Sequence, residues 1–178
     1  LLDVGRAEPA TLARLPIGGR AALCDGHAMP GKVFRVEQAG AAAQIHACGD
    51  QPHEMITSIV WGSPTPENAG LLPTTPIVSI NREGGRLLRE ALGRGPVRVR
   101  LCTQVDMRWR TLPLLIAHLR APRGNGDFVL MSGHVDSWHY GAMDNGAGNA
   151  TQMEVGRIFA ARKKHLRRLV LKRQSNRK

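Results

Sequence analysis

The sequence is poor in the features that would place it quickly. Aromatic residues make up 4% of its 178 positions, so any core must be built from Leu, Val, Ile and Ala. No stretch approaches the ~18 consecutive apolar residues of a membrane span. No basic-then-apolar leader opens the chain, and its start, Leu1-Leu2-Asp3-Val4-Gly5, lacks a Met and reads as the middle of a longer protein. Cysteine is scarce and odd in number. Cys24, Cys48 and Cys102 close apolar runs, match no zinc-knuckle spacing, and are expected as buried thiols, although one disulfide stays open in an oxidising compartment. Acid is absent after Glu154, whereas Arg162, Lys163, Lys164, Arg167, Arg168, Lys172, Arg173, Arg177 and Lys178 supply nine of the 25 basic residues. Without those nine, 16 basic residues stand against 14 acidic ones, so the charge of +11 belongs to the tail. That tail has no interleaved aromatics and no nucleic-acid motif, which favours a solvated helix end over a nucleic-acid surface.

What remains, 42% hydrophobic and 22% charged, supports a folded α/β chain. Residues 1–18 hold a brief apolar start and a linker with Pro9 and Pro16. Ala21–Cys24 reads as a strand, Lys32–Ala43 as a helix striped by Val33, Val36, Gly40 and Ala43, and Ile45–Cys48 as a second strand. A proline-rich loop fills 62–76. Ile77–Ile80 forms a third strand, and Asn81 is placed to cap a helix that Gly93 ends. Val97, Val99 and Leu101 alternate with polar positions at a period of two. Beyond Asp106, Leu112–Leu119 and Phe128–Met131 are expected to pair antiparallel about a turn at Arg123–Gly126. A helix carrying Met153, Val155, Ile158, Phe159 and Leu166 follows, and Leu169–Leu171 can begin a further strand.

The chemistry gathers at the end of the Phe128–Met131 run. Ser132-Gly133 breaks the strand, His134 and Asp136 follow at once, and Asp144 sits in a Gly-rich turn before the helix. Ligands of open α/β sheets bind at this edge, and imidazole with carboxylate suits zinc at ~2.0–2.2 Å. The alternative is a polar strand-to-helix turn with a helix cap. His27, His46, His53 and His165 lack carboxylates at ligand spacing, and His118 lies in an apolar run as a hydrogen-bonded core residue. His139 is placed to line the pocket. Trp138 and Tyr140 are either a substrate-facing wall or ordinary packing, and Glu154 faces solvent or caps a neighbour.

Two resemblances sharpen this reading. Gly133-His134-Val135-Asp136-Ser137-Trp138, followed by Gly141-Ala142-Met143-Asp144-Asn145-Gly146-Ala147-Gly148, resembles the first metal segment of the di-zinc aminopeptidase and glutamate carboxypeptidase family. The resemblance implies that His134 is a ligand of one zinc, that Asp144 bridges two, and that Asp136 is the catalytic-site acid orienting His134. The order of Gly19–Cys24, Glu37–Ala41, Pro76–Ile80 and Pro96–Arg100 resembles a protease-associated domain, which such peptidases carry near the start of the peptidase domain. The expected architecture is therefore a protease-associated domain at 1–106, with its core at 15–103. The N-terminal portion of a zinc-peptidase α/β sandwich follows at 107–178. The family implies a zinc-dependent exopeptidase acting on peptides, in a secreted or extracytoplasmic setting. The acidic base and later zinc ligands of the family have no counterpart before Lys178. The chain alone is then expected to be an incomplete, inactive fragment with weak or no zinc, unless it is a non-catalytic binding or scaffold member.

Overall fold

The structure is a computed structural model that describes residues 1–174 except 54, 107, 123–125, 138 and 166–168. The turn expected at Arg123–Gly126, the roles of Trp138 and Leu166, and much of the basic tail fall on or among residues outside that description. The chain divides into two compact units, Leu1–Met107 and Arg108–Lys178.

The first unit is built on a parallel sheet of β1 (Leu2–Gly5), β2 (Ala21–Asp25), β3 (Ala43–Ala47) and β4 (Ile77–Ile80), hydrogen-bonded in that order. Three helices accompany it: α1 (Pro9–Leu12), α2 (Pro30–Gln38) and α3 (Arg82–Arg94). Alternation along the strands divides the core between the two faces. Ala22 and Cys24 pack with Val4, Leu12, Ile17 and Val36, whereas Leu23, Ile45 and Ala47 pack with Val78, Ile80, Leu88 and Leu92. Full burial of an aliphatic side chain such as Leu23 contributes about 1.5–3 kcal/mol before entropy is counted.

Local chemistry explains where the elements stop. Pro30 opens α2 at its first position, where a missing N–H costs nothing. The helix ends at Gln38, short of the Ala43 expected from its stripe, because Gly40 turns left-handed at φ +90°. Ala43 then starts β3. Asn81 caps α3 as its side chain suggests, its Oδ1 accepting from the Gly84 N–H at 2.8 Å. That helix passes Gly93 and stops at Arg94, with Gly95 beyond it. The apolar start, Leu1–Val4, is more than a lead-in. It supplies strand β1, parallel to β2. Val97, Val99 and Leu101 keep their alternating burial without joining a strand ladder, and Val99 and Leu101 pack on the Leu23 cluster.

Two polar features sit in this unit. Arg89 of α3 bonds Asp3 at 2.8 Å and Asp25 at 2.5 Å, tying the helix to β1 and β2. Gln44 and His46 are fully buried. Gln44 donates to the Val33 carbonyl at 3.0 Å, and its Oε1 lies 3.1 Å from His46 Nε2. Burial, reinforced by the charge of Lys32, pushes the His46 pKa down to about 4. Cys24 and Cys48 are buried thiols as expected, but Cys102 is exposed, because the segment around it packs only every second residue.

The second unit holds β5 (Ile116–Leu119), β6 (Phe128–Gly133), α4 (Gly148–Ala161) and β7 (Leu169–Gln174). Its sheet order is β5-β7-β6, with β7 antiparallel to β5 and parallel to β6. The expected antiparallel hairpin between the first two strands is therefore absent. The Leu169–Gln174 strand lies between them and satisfies one edge of each. The first strand is also shorter than the apolar run suggests, and His118 is exposed rather than a core residue. On α4, Met153 and Ile158 face solvent, and the buried position is Gln152.

Candidate metal centre

Strand β6 ends at Gly133, and the chain enters the loop that carries His134 and Asp136. Gly141 reverses it at φ +62°, where any Cβ would lie 2.2 Å from that of Ser137. Only glycine meets both demands. Ala142–Ala147 form one wide irregular turn in which Asp144 is extended rather than helical (φ −117°, ψ 90°), and the Asp144–Asn145 peptide is cis. The turn feeds directly into α4. Strand end, loop and helix start thus bring together all three residues singled out in the sequence.

The imidazole of His134 is contacted on both sides. Its Nδ1 lies 3.0 Å from the Asp136 carbonyl and 3.1 Å from Asp136 Oδ1. Its Nε2 lies 2.9 Å from Asp144 Oδ1. Both ring nitrogens therefore face oxygen acceptors. A neutral imidazole has a single N–H, so the tautomer decides which of the two contacts is a hydrogen bond. His134 and Asp136 side chains are about one-third exposed and that of Asp144 about half, so the pair is open to solvent.

The donor chemistry suits zinc, since one imidazole nitrogen and one carboxylate oxygen converge. The donor count is short. The contacted oxygen of Asp136 is engaged by Nδ1, and among the described residues no group of three or more His, Cys, Asp or Glu side chains forms a metal cage. Tight zinc sites take three or four protein ligands.

Side chains not singled out in the sequence hold the site's frame. Asn149 Nδ2 donates to the His134 carbonyl at 2.8 Å and Asn145 Nδ2 to the same oxygen at 3.3 Å, while Gln152 Nε2 donates to the Ser132 carbonyl at 3.0 Å. Carboxamides at Asn149 and Gln152, three apart on one face of the helix, and Asn145 in the turn before it were the legible signal. Around the opening, Tyr140 and Met143 are almost wholly exposed, so Tyr140 is not a packing residue. His139 takes a positive φ of 51°, and its carbonyl accepts from Ser137 Oγ at 3.3 Å. Glu154 pairs with Arg157 at 2.7 Å on the exposed side of α4.

The structure is a mixed α/β protein in which a strand–loop–helix segment gathers these three side chains. Residues 115–171 match the sequence model of Peptidase family M28, so the resemblance to the zinc aminopeptidases is borne out over the segment that carries the site. No curated protein matches the chain in sequence. Solved structures share its fold. An aminopeptidase from Aneurinibacillus sp. strain AM-1 is 20% identical over 98% of this chain and 42% of its own, at a TM-score of 0.61. A zinc aminopeptidase from Bacillus subtilis is 21% identical over 98% of this chain and 40% of its own, at 0.57. A Peptidase M28 precursor from Shewanella amazonensis SB2B is 18% identical over 97% and 43%, at 0.53. The chain thus spans between 40% and 43% of the length of these structures.

Proposed function

We propose that this chain carries the His–Asp segment of a zinc-dependent exopeptidase centre, with His134 and Asp144 as metal ligands and Asp136 as the residue that orients His134. The observation that carries this reading is the convergence of His134 Nε2 and Asp144 Oδ1, 2.9 Å apart, with Asp136 on the other ring nitrogen. When bound, zinc supplies Lewis acidity and lowers the pKa of its water toward ~7. The chain's own residues prepare that site. Asp136 accepts the Nδ1 proton, fixes the tautomer and turns the Nε2 lone pair outward. Asp144, extended in the turn, presents its carboxylate from the opposite side. In a complete relative it would bridge two zinc ions, and the substrate would be a peptide with a free end.

The match of residues 115–171 to a peptidase family supports the reaction class, and the similarity in fold to aminopeptidases supports the exopeptidase reading. We also infer that residues 1–106, with a core at 15–103, form a protease-associated domain that shapes substrate access. Its support is the order strand–helix–strand, long loop, strand–helix in β2-α2-β3 and β4-α3. A second reading, a non-catalytic scaffold member, is favoured by the donor count at the site. Metal analysis after dialysis, together with hydrolysis of aminoacyl and dipeptide substrates, separates the two. Zinc retained weakly and lost on His134→Ala supports the metal-centre reading. The same metal content in both proteins favours the scaffold.

A further inference from the structure

Helix α4 is docked at the site by amides, with Val155 and Phe159 half-buried further along the same stripe. Asn145, Asn149 and Gln152 converge on Gly133, where an added Cβ would lie 2.5 Å from Gln152 Nε2, 3.0 Å from Asn145 Nδ2 and 3.3 Å from Asn149 Oδ1. They grip two carbonyls that flank Gly133, those of Ser132 and His134. Gln152 is 92% buried, and its Oε1 has no hydrogen-bond partner among the described residues. A buried amide with half its capacity unmet is destabilising, which an apolar side chain at this position would avoid. In the same unit Met153 and Ile158 lie exposed. The polar choice at 152 thus secures register at the expense of stability.

We propose that Asn149 and Gln152 are positioning residues for the metal centre: their amides latch α4 to the main chain of Ser132–His134 and thereby set Asp144 against His134. Resting on the reading of His134 and Asp144 as one centre, the inference concerns how that pair is aligned. The two contacts on His134 differ in kind. Asp136 is two residues away and reaches Nδ1 through the local loop, whereas Asp144 is ten residues away and reaches Nε2 only if the turn and α4 sit at the right height. Releasing the latch therefore loosens the Nε2 contact and spares the Nδ1 contact. Asn145 backs Asn149 on the same carbonyl, so the single Asn149 substitution has the smaller effect.

The test uses the full 178-residue chain without metal and reads the ring nitrogens of His134 by long-range ¹H–¹⁵N correlation. It compares the native protein with Asn149→Leu, Gln152→Leu and the double variant. Leucine is close in size to both residues and a better helix former than asparagine, so far-UV circular dichroism should keep the α4 signal. The expected result is an Nε2 resonance displaced toward that of a solvent-exposed imidazole in the double variant, with Nδ1 unchanged. Gly133→Ala, which drives a methyl into the latch, should reproduce the displacement. Both resonances unchanged in the folded double variant and in Gly133→Ala would overturn the proposal. So would equal displacement of both with the helix intact, since that marks a general structural role. Metal-free spectra do not depend on zinc or turnover, so failure here is distinct from failure of the peptidase reading.

Discussion

His134 Nε2 stands 2.9 Å from Asp144 Oδ1, while Nδ1 of the same ring is held by Asp136. One imidazole thus joins a residue two positions away to one ten positions away, across the junction from β6 to α4. This geometry makes Asp136 the orienting partner. Replacing it with asparagine keeps the size and the backbone contact but removes the negative acceptor. Loss of such an orienting acid costs about 10–100-fold in metal affinity. Competition with a chromophoric chelator measures the ratio, and an unchanged affinity in Asp136→Asn would remove Asp136 from the site.

The buried His46 gives the first unit a pH dependence of known sign. Burial pushes its pKa down to about 4 in the folded chain, from the ordinary histidine value of 6.5. Between those values the unfolded chain binds more protons, so stability falls as pH drops from about 6.5 toward 4 and is fully present above that window. The shift corresponds to up to about 3 kcal/mol. Urea unfolding across pH 4–8 should show this slope in the native protein and a shallower one in His46→Gln. Equal slopes would place the acid sensitivity elsewhere.

Arg89 should matter more than a surface arginine. It is about one-third exposed and joins α3 to both Asp3 and Asp25. Partial exposure screens the pairs, so Arg89→Met is expected to cost only about 1–2 kcal/mol, much of it from two neighbouring carboxylates left without their cation. Denaturant unfolding of the first unit is the check. A change within about 0.5 kcal/mol, the range of ordinary surface substitutions, would contradict the clamp.

The second unit has a thin core. Phe128, Val129 and Leu130 are consecutive on β6, so they point to alternating faces, yet each is at least 44% exposed. Exposed apolar strands bind hydrophobic probes and aggregate. Amide hydrogen exchange is expected to be faster across 116–161 than across 21–94, and a naphthalene sulfonate dye should report on the second unit. Uniform protection across both units would contradict this.

The sequence exposed the local chemistry well and the long-range pairing poorly. Ile77–Ile80 and the Asn81 cap were legible because three apolar residues and one capping oxygen act within a short local stretch. His134, Asp136 and Asp144 were legible because glycine and asparagine mark the loop that gathers them. The placement of β7 between β5 and β6 was not, since an apolar run of three residues carries no record of its partners. Leu2–Gly5 looked like a lead-in for the same reason: its place beside β2 depends on residues some 20 positions away. The stripe expected on α4 holds at the half-buried Val155 and Phe159 but not at the exposed Met153 and Ile158, and Gln152 takes the buried position by binding a main-chain carbonyl, a contact that periodicity cannot register.

Zinc binding by the 178-residue chain tests most directly whether His134 and Asp144 face each other as a cation site. Equilibrium dialysis against graded zinc, with the native protein, His134→Ala and Asp144→Ala side by side, should show one weak site in the native chain. Two protein donors leave the rest of the shell to water, so the site should be lost in both variants. Identical zinc uptake by all three proteins would contradict the account.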